Sequence, residues 1–200
     1  MKTIIYTASF GMKPSYKLPN LLKCNYDFHC FSGPGGRAEA REVKLLPHKY
    51  FPGYDVSIWI DATTDIEVDN LPGLTEYYLE KGDFIVAEHL KKDNDIYKEA
   101  ETCIEAKKES HEFIPKQIAE YKSERCPNVE VVNTRMIIRK HLKPDIIFFD
   151  EAWITQLLLH YSLRDQISFA YLAWKYGLKY VKMDYETTKF EFLKPELNIS

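Results

Sequence analysis

Short hydrophobic runs alternate with stretches of helical spacing along most of this chain. Thr3–Ala8 (TIIYTA) is β-branched and aromatic and breaks at Gly11 and Pro14, which predicts a strand and then a loop. Tyr26–Phe31 predicts a second short strand, ended by SGPGGR, and Arg37–Leu46 predicts a helix. Asp55–Asp61 (DVSIWID) is the clearest strand. Its near-continuous apolar character suits a strand buried on both faces of a sheet. In LPGLTEYYLEKG, Pro72 suits a first helical position and Gly82 a C-terminal cap. Asp83–His89 then predicts another strand. Strand, helix and strand at this spacing form a βαβ signal, which points to an α/β fold.

The middle of the chain is more polar. Asp95–Tyr121 is rich in Lys, Glu and Ala, and Pro115 divides it into two helical stretches. Val129–Arg139 is strand-like, with a turn expected at Asn133–Thr134. Pro144–Tyr161 predicts a strongly apolar helix. Ser162-Leu163-Arg164-Asp165 matches a capping box ahead of a last helix, and LKYVKM predicts a final strand.

Composition bounds the class. No linker interrupts the 200 residues, so one domain over 1–200 is expected. Lys+Arg 27 against Asp+Glu 30 gives net charge −3, without the basic surplus of a duplex binder, so no nucleic-acid partner is expected. The N-terminal apolar run is too short for a signal peptide, and no run approaches the roughly 20 residues of a membrane span. Cys24, Cys30, Cys103 and Cys126 form no C-x-x-C pair, which argues for buried thiols in a reducing compartment, the cytoplasm.

Several residues are candidates for chemistry. Asp61 ends the most hydrophobic strand, and ligands of open α/β sheets bind beyond the carboxyl ends of strands. A carboxylate there suits a divalent cation, with Thr63 and Asp65 close enough to add oxygens; the alternative is a simple turn cap. Arg37, Arg41 and Lys44 fall at i, i+4 and i+7, a stripe suited to a diphosphate or to plain solvation. Asp165 and Gln166 at a helix start suit sugar hydroxyls, or only a cap. Glu151 is an acid in an apolar helix, so it faces solvent or serves a site as a base. Among the histidines, His89 and His141 each follow a strand and so lie near a sheet rim.

The segments AREVKLLPHKYFPGYDVSIWIDA, IYKEA, IIRKH, DEAW and RDQISFAY occur in this order. Their order and spacing resemble the glycosyltransferase-like domain family that includes plant mucilage-related proteins and bacterial relatives. The likeness runs from about Thr3 to Asp184. It implies a GT-A-type α/β/α sandwich with a mostly parallel central sheet, and a nucleotide-sugar donor, a UDP-sugar first, with a glycan-type acceptor. Arg41, Lys44 and His48 fall in the family's A-R-x-x-K-x-x-P-H segment. Asp61 matches the acid of W-I-D. His89 matches the histidine of H-P-x-R, but Leu90 replaces the proline and Lys92 the arginine. Arg139 and His141 match R-x-H, and Arg164, Asp165 and Gln166 match R-D-Q. Glu151 falls near W-W-x-E, although the order here is E-A-W.

The roles that follow from the resemblance are these. Asp27 meets the base, Arg41 and Lys44 face the diphosphate, and Asp61 and Thr63 hold the ribose or a metal-bound phosphate, with Arg164 nearby. Asp165 and Gln166 orient sugar or acceptor, and Asp165 or Glu151 is the base if the reaction inverts. A Mn²⁺ or Mg²⁺ ion would use Asp61 with His89 or His141. The tripeptide Asp61-Ala62-Thr63 lacks the second acid of D-x-D, which keeps metal dependence open and motivates a rival reading, a non-catalytic module that binds nucleotide sugar or carbohydrate.

Overall fold

The structure, a computed structural model, describes residues 1–11, 24–68, 70–91, 94–108, 112–184 and 189–192. A six-stranded sheet forms the centre. Its strands are β1 (Thr3–Ala8), β2 (Asp27–Phe31), β3 (Val56–Ile60), β5 (Phe84–Ala87), β6 (Asn133–Arg139) and β7 (Val181–Met183). They lie in the order β2-β1-β3-β6-β5-β7. The pairings β1–β2, β1–β3 and β5–β7 are parallel; β6 runs against both neighbours, so the sheet is mostly parallel. A small second sheet pairs β4 (Thr64–Glu67) with β8 (Lys189–Phe192), antiparallel. Both strands are only four residues long, too short for the hydrophobic pattern to announce them.

The unbroken apolar runs follow from the sheet being covered on both faces. Ile4, Tyr6, Trp59, Phe84, Val86 and Ile137 point to one core; Ile5, Ile58, Ile85, Met136 and Ile138 point to the other. The first face is covered by α1 (Arg37–Leu45), α4 (Ile96–Glu105), α5 (Phe113–Ser123), α6 (Pro144–His160) and α7 (Asp165–Tyr176). A short α2 (Pro47–Tyr50) continues α1, and α3 (Leu71–Leu79) covers the second face.

Four local expectations change. Pro115 lies in the first turn of α5, where its missing N–H is harmless, and does not divide two helices. Asn133 and Thr134 open β6 rather than turn, since Asn133 pairs with Ala87 across a bulge. Gly82 is not the cap of α3, which ends at Leu79. A Cβ at Gly82 would stand 2.7 Å from Val181 Cγ2, so glycine is needed there for close approach. Ser162 does not cap α7. The N-cap is Arg164 with no side-chain cap bond, which puts Asp165 at the first helical position.

Candidate functional site

Asp61 leaves the carboxyl end of β3, where its backbone N–H donates to Arg135 O at 2.8 Å and its carbonyl accepts from Thr64 N at 2.9 Å. Its Oδ1 accepts from Trp59 Nε1 at 2.6 Å and from Lys44 Nζ at 3.2 Å. Among the described residues none donates to its Oδ2, and the side chain is 24% exposed. Asp61 therefore presents one carboxylate oxygen outward while the other is fixed.

Lys44 is the hub behind it. The side chain is fully buried, with Nζ 2.6 Å from Asp165 Oδ2. Arg41 reaches Asp165 Oδ1 at 3.3 Å, and Thr134 Oγ1 donates to Asp165 Oδ2 at 3.1 Å. Burial raises the Asp165 carboxyl, but the Arg41 and Lys44 charges, with the hydrogen bonds of Lys44 and Thr134, overcome it. They hold the group well below the usual carboxylate range. Two cations and two carboxylates balance, and they tie α1, β3, β6 and α7 together at the sheet rim.

A second network fixes the Lys44 backbone. Arg139 donates from Nη1 to Asp150 Oδ1 at 2.7 Å and from Nη2 to Tyr6 OH at 2.8 Å and to Lys44 O. Tyr6 OH donates to Lys44 O at 2.8 Å. Arg139 and Asp150 are wholly buried, and burial pushes the Asp150 carboxyl up to about 7 despite the guanidinium.

A pocket of about 180 Å³ opens at the same rim, and Arg135, whose carbonyl accepts from Asp61 N, is part of its lining. Lys91, Lys108, Arg135 and Gln166 line it, with Glu99 and His89. Glu99 is buried and accepts from Asn94 Nδ2 at 2.8 Å; His89 Nε2 and Lys108 Nζ each stand 3.9 Å from its carboxylate. His89 Nδ1 accepts from Lys91 N at 3.2 Å, which fixes the ring. Basic groups outnumber the single acid, so the pocket suits a ligand of negative charge.

The structure brings together Arg41, Lys44, Asp61, Arg164, Asp165, Gln166 and His89 at this rim, with Thr63 in the turn just after Asp61. Several expectations do not hold. Lys44 is no solvent-facing cation for a diphosphate, because it is buried and bound by two carboxylates. Asp165 is no ready base, because its oxygens are held by Arg41, Lys44 and Thr134. Asp27 begins β2 opposite Ile4, so it sits at the amino end of the parallel strands, bonded to Tyr54 OH at 2.8 Å. His141 lies at that same end, because β6 runs backwards; it is buried against Phe51 O at 3.0 Å and cannot share a metal with Asp61. Glu151 is half exposed and turned to His48 at 3.5 Å, away from the rim groups. Arg37, at the start of α1, is exposed. Lys92 and the side chain of Asp65 lie outside the described residues.

Lys91, Glu99, Lys108 and Arg135 are not among the residues that the sequence singles out. Only Arg135 carried a signal, as a cation in an apolar strand. Among the described residues no three His, Cys, Asp or Glu side chains gather as metal donors. Asp61 offers one carboxylate with an ammonium 3.2 Å from it, and His89 turns to Glu99. The described residues alone do not make a donor set for Mn²⁺ or Mg²⁺.

Comparison with known proteins bears on the same residues. Among curated proteins, the probable hexosyltransferase MUCI70 of Arabidopsis thaliana is 29% identical over 154 residues, 72% of this chain and 26% of that protein. The chain thus spans about a quarter of that relative's length. Among solved structures, a glycosyltransferase involved in glycosylation of the major capsid of PBCV-1 matches with a TM-score of 0.52. The identity there is 10%, over 92% of this chain and 82% of that one, a likeness that shows the GT-A-type fold alone. No helix among the described residues is long and apolar enough to cross a membrane. The model of the TOD1/MUCI70 glycosyltransferase-like domain matches residues 36–194, which contain Lys44, Asp61, Asp165 and the rim pocket, and this chain belongs to that family.

Proposed function

We propose that this protein is a glycosyltransferase that takes a nucleotide-sugar donor, with a UDP-hexose as the first candidate, and passes the sugar to a glycan-type acceptor. The observation that carries the reading is the basic pocket that shares the carboxyl rim of the sheet with the partly exposed Asp61. Lys91, Lys108 and Arg135 supply positive charge for the diphosphate, and that charge grows most valuable as the diphosphate leaves. Asp61 Oδ2 accepts a hydrogen bond from a ribose or sugar hydroxyl. Gln166, at the start of α7, donates to or accepts from the sugar. Lys44 and Asp165 do not touch the donor; they hold Asp61 in place. The four free cysteines fit a reducing compartment, and we place the protein in the cytoplasm.

The test is a thermal-shift panel of UDP-, GDP-, ADP- and CMP-sugars, each with and without Mn²⁺, on wild type and Asp61→Asn. A ligand at 100 times its Kd stabilises by about 2.7 kcal/mol, which a melting curve resolves. The reading expects one nucleotide class to raise Tm and Asp61→Asn to weaken that rise. Turnover of that donor with released nucleotide identifies an enzyme; binding without turnover in any acceptor mixture identifies a binding module.

A further inference from the structure

A second cleft, of 560 Å³, lies at the far end of the sheet from Asp61. Phe84 begins β5 and pairs with Arg139, which also pairs with Ser57 near the start of β3. The cleft is therefore at the amino end of the parallel strands. Helix α7 joins the two places. It begins at Asp165 on the rim and ends at Tyr176 in the cleft, a rise of about 16 Å at 1.5 Å per residue.

The cleft has the chemistry of a sugar site. Its floor is apolar, formed by Phe84, Ile146 and Phe149, all nearly inaccessible. Its lip carries two exposed aromatic rings, Phe148 at 56% and Tyr176 at 46%, set edge-to-face with centroids 5.1 Å apart. Two adjacent exposed rings lining a cavity form a small contiguous apolar patch that a ligand can cover. The remaining wall is polar and carries both signs of charge, from Lys81, Lys179, Asp83 and Asp145. Asp83 is offset by Lys140 at 2.6 Å and by Lys143. Gly177 takes a left-handed φ of 66° with nothing within 4 Å of its missing Cβ, which leaves that side of the wall open.

Apolar rings beside donors and acceptors of both signs match a neutral polyhydroxylated ligand. The faces of a pyranose pack on rings, and its hydroxyls bond to carboxylates, ammonium groups and backbone. An anionic ligand would meet the Asp145 carboxylate, and a purely apolar one would leave the charged groups of the wall to be desolvated. We propose that this cleft binds a neutral oligosaccharide, as an anchoring subsite for a glycan chain away from the rim where transfer takes place. The anchoring role rests on the glycosyltransferase reading; the binding itself does not.

The experiment is saturation-transfer NMR and calorimetry with neutral gluco-, xylo-, manno- and galacto-tetraoses, on wild type, Phe148→Ala, Tyr176→Ala and the conservative Phe148→Tyr. Both alanine variants are at exposed positions and outside the rim. At least one tetraose should bind, each alanine variant should weaken it by about tenfold, and Phe148→Tyr should retain it. Binding of none of the four, or binding unchanged in both alanine variants, overturns the proposal. Nucleotide-sugar thermal shifts on the same variants should equal wild type. A protein that binds a tetraose here but no nucleotide sugar keeps the cleft and loses the donor reading; the reverse result does the opposite.

Discussion

At the residue scale a buried lysine organises the rim. Lys44 is the counter-ion of Asp61 and Asp165, and those partners lie 17 and 121 positions away in the chain. Such long-range pairing leaves no local signal, which is why Lys44 reads from sequence as a surface cation. Lys44→Met would leave two carboxylates without their shared cation, so unfolding free energy should fall by about 3–5 kcal/mol in chemical denaturation. Asp61→Asn should cost far less, because its side chain is a quarter exposed and the amide oxygen still accepts from Trp59. Asp61 itself was legible, since an acid ending an apolar strand announces a rim. Glu99 was not, because an acid on an amphipathic helix looks like any solvated one.

Asp150 gives the second prediction at this scale. Burial raises its carboxyl from 3.8 to about 7, so the fold favours the protonated form. That stabilisation is complete below about pH 4 and is lost as pH rises through 7. His48 and His141 oppose it, because burial lowers both and the fold favours their neutral forms. Comparison with Asp150→Asn isolates the carboxyl. The stability of wild type relative to this variant should decline between pH 5 and 8. A difference that stays flat over that range would place the Asp150 titration elsewhere.

At the scale of elements, β1, β3 and β5 were legible because strands buried on both faces leave unbroken apolar runs. The direction of β6 was not, because a strand reads the same way parallel or antiparallel. That one ambiguity carried His141 to the wrong end of the sheet. The capping-box reading failed for a related reason. Ser162 is spaced correctly from Asp165, but tertiary partners on α1 and β6 claim the Asp165 carboxylate. The junction of β5 and β7 yields a third prediction. At Gly82→Ala a Cβ would meet the stiff Val181 Cγ2 at 2.7 Å, which should cost about 1–3 kcal/mol in unfolding free energy. Gly53→Ala, with nothing within 4 Å of its new Cβ, is the matched control and should leave Tm nearly unchanged.

At the scale of the molecule the sheet divides the chemistry. The carboxyl rim gathers the outward oxygen of Asp61, the cations of the pocket and the buried supports beneath them. The amino end holds the aromatic cleft. The chain's near-neutral net charge hides this division, because the basic groups of the rim pocket are balanced by acids elsewhere. The fold class was open to sequence reasoning through its βαβ spacing, and the partnership across the rim was not, because it joins four elements far apart in the chain.

The most direct measurement of the central claim is calorimetric titration of wild type and Arg135→Gln with the nucleotide sugar that gives the largest thermal shift, at two salt concentrations. The account predicts saturable binding that weakens as salt rises and weakens about tenfold or more in the variant, since a charged contact to a diphosphate is lost. Equal affinity in the two proteins, or no binding of any nucleotide sugar, would contradict the assignment of the rim as a donor site.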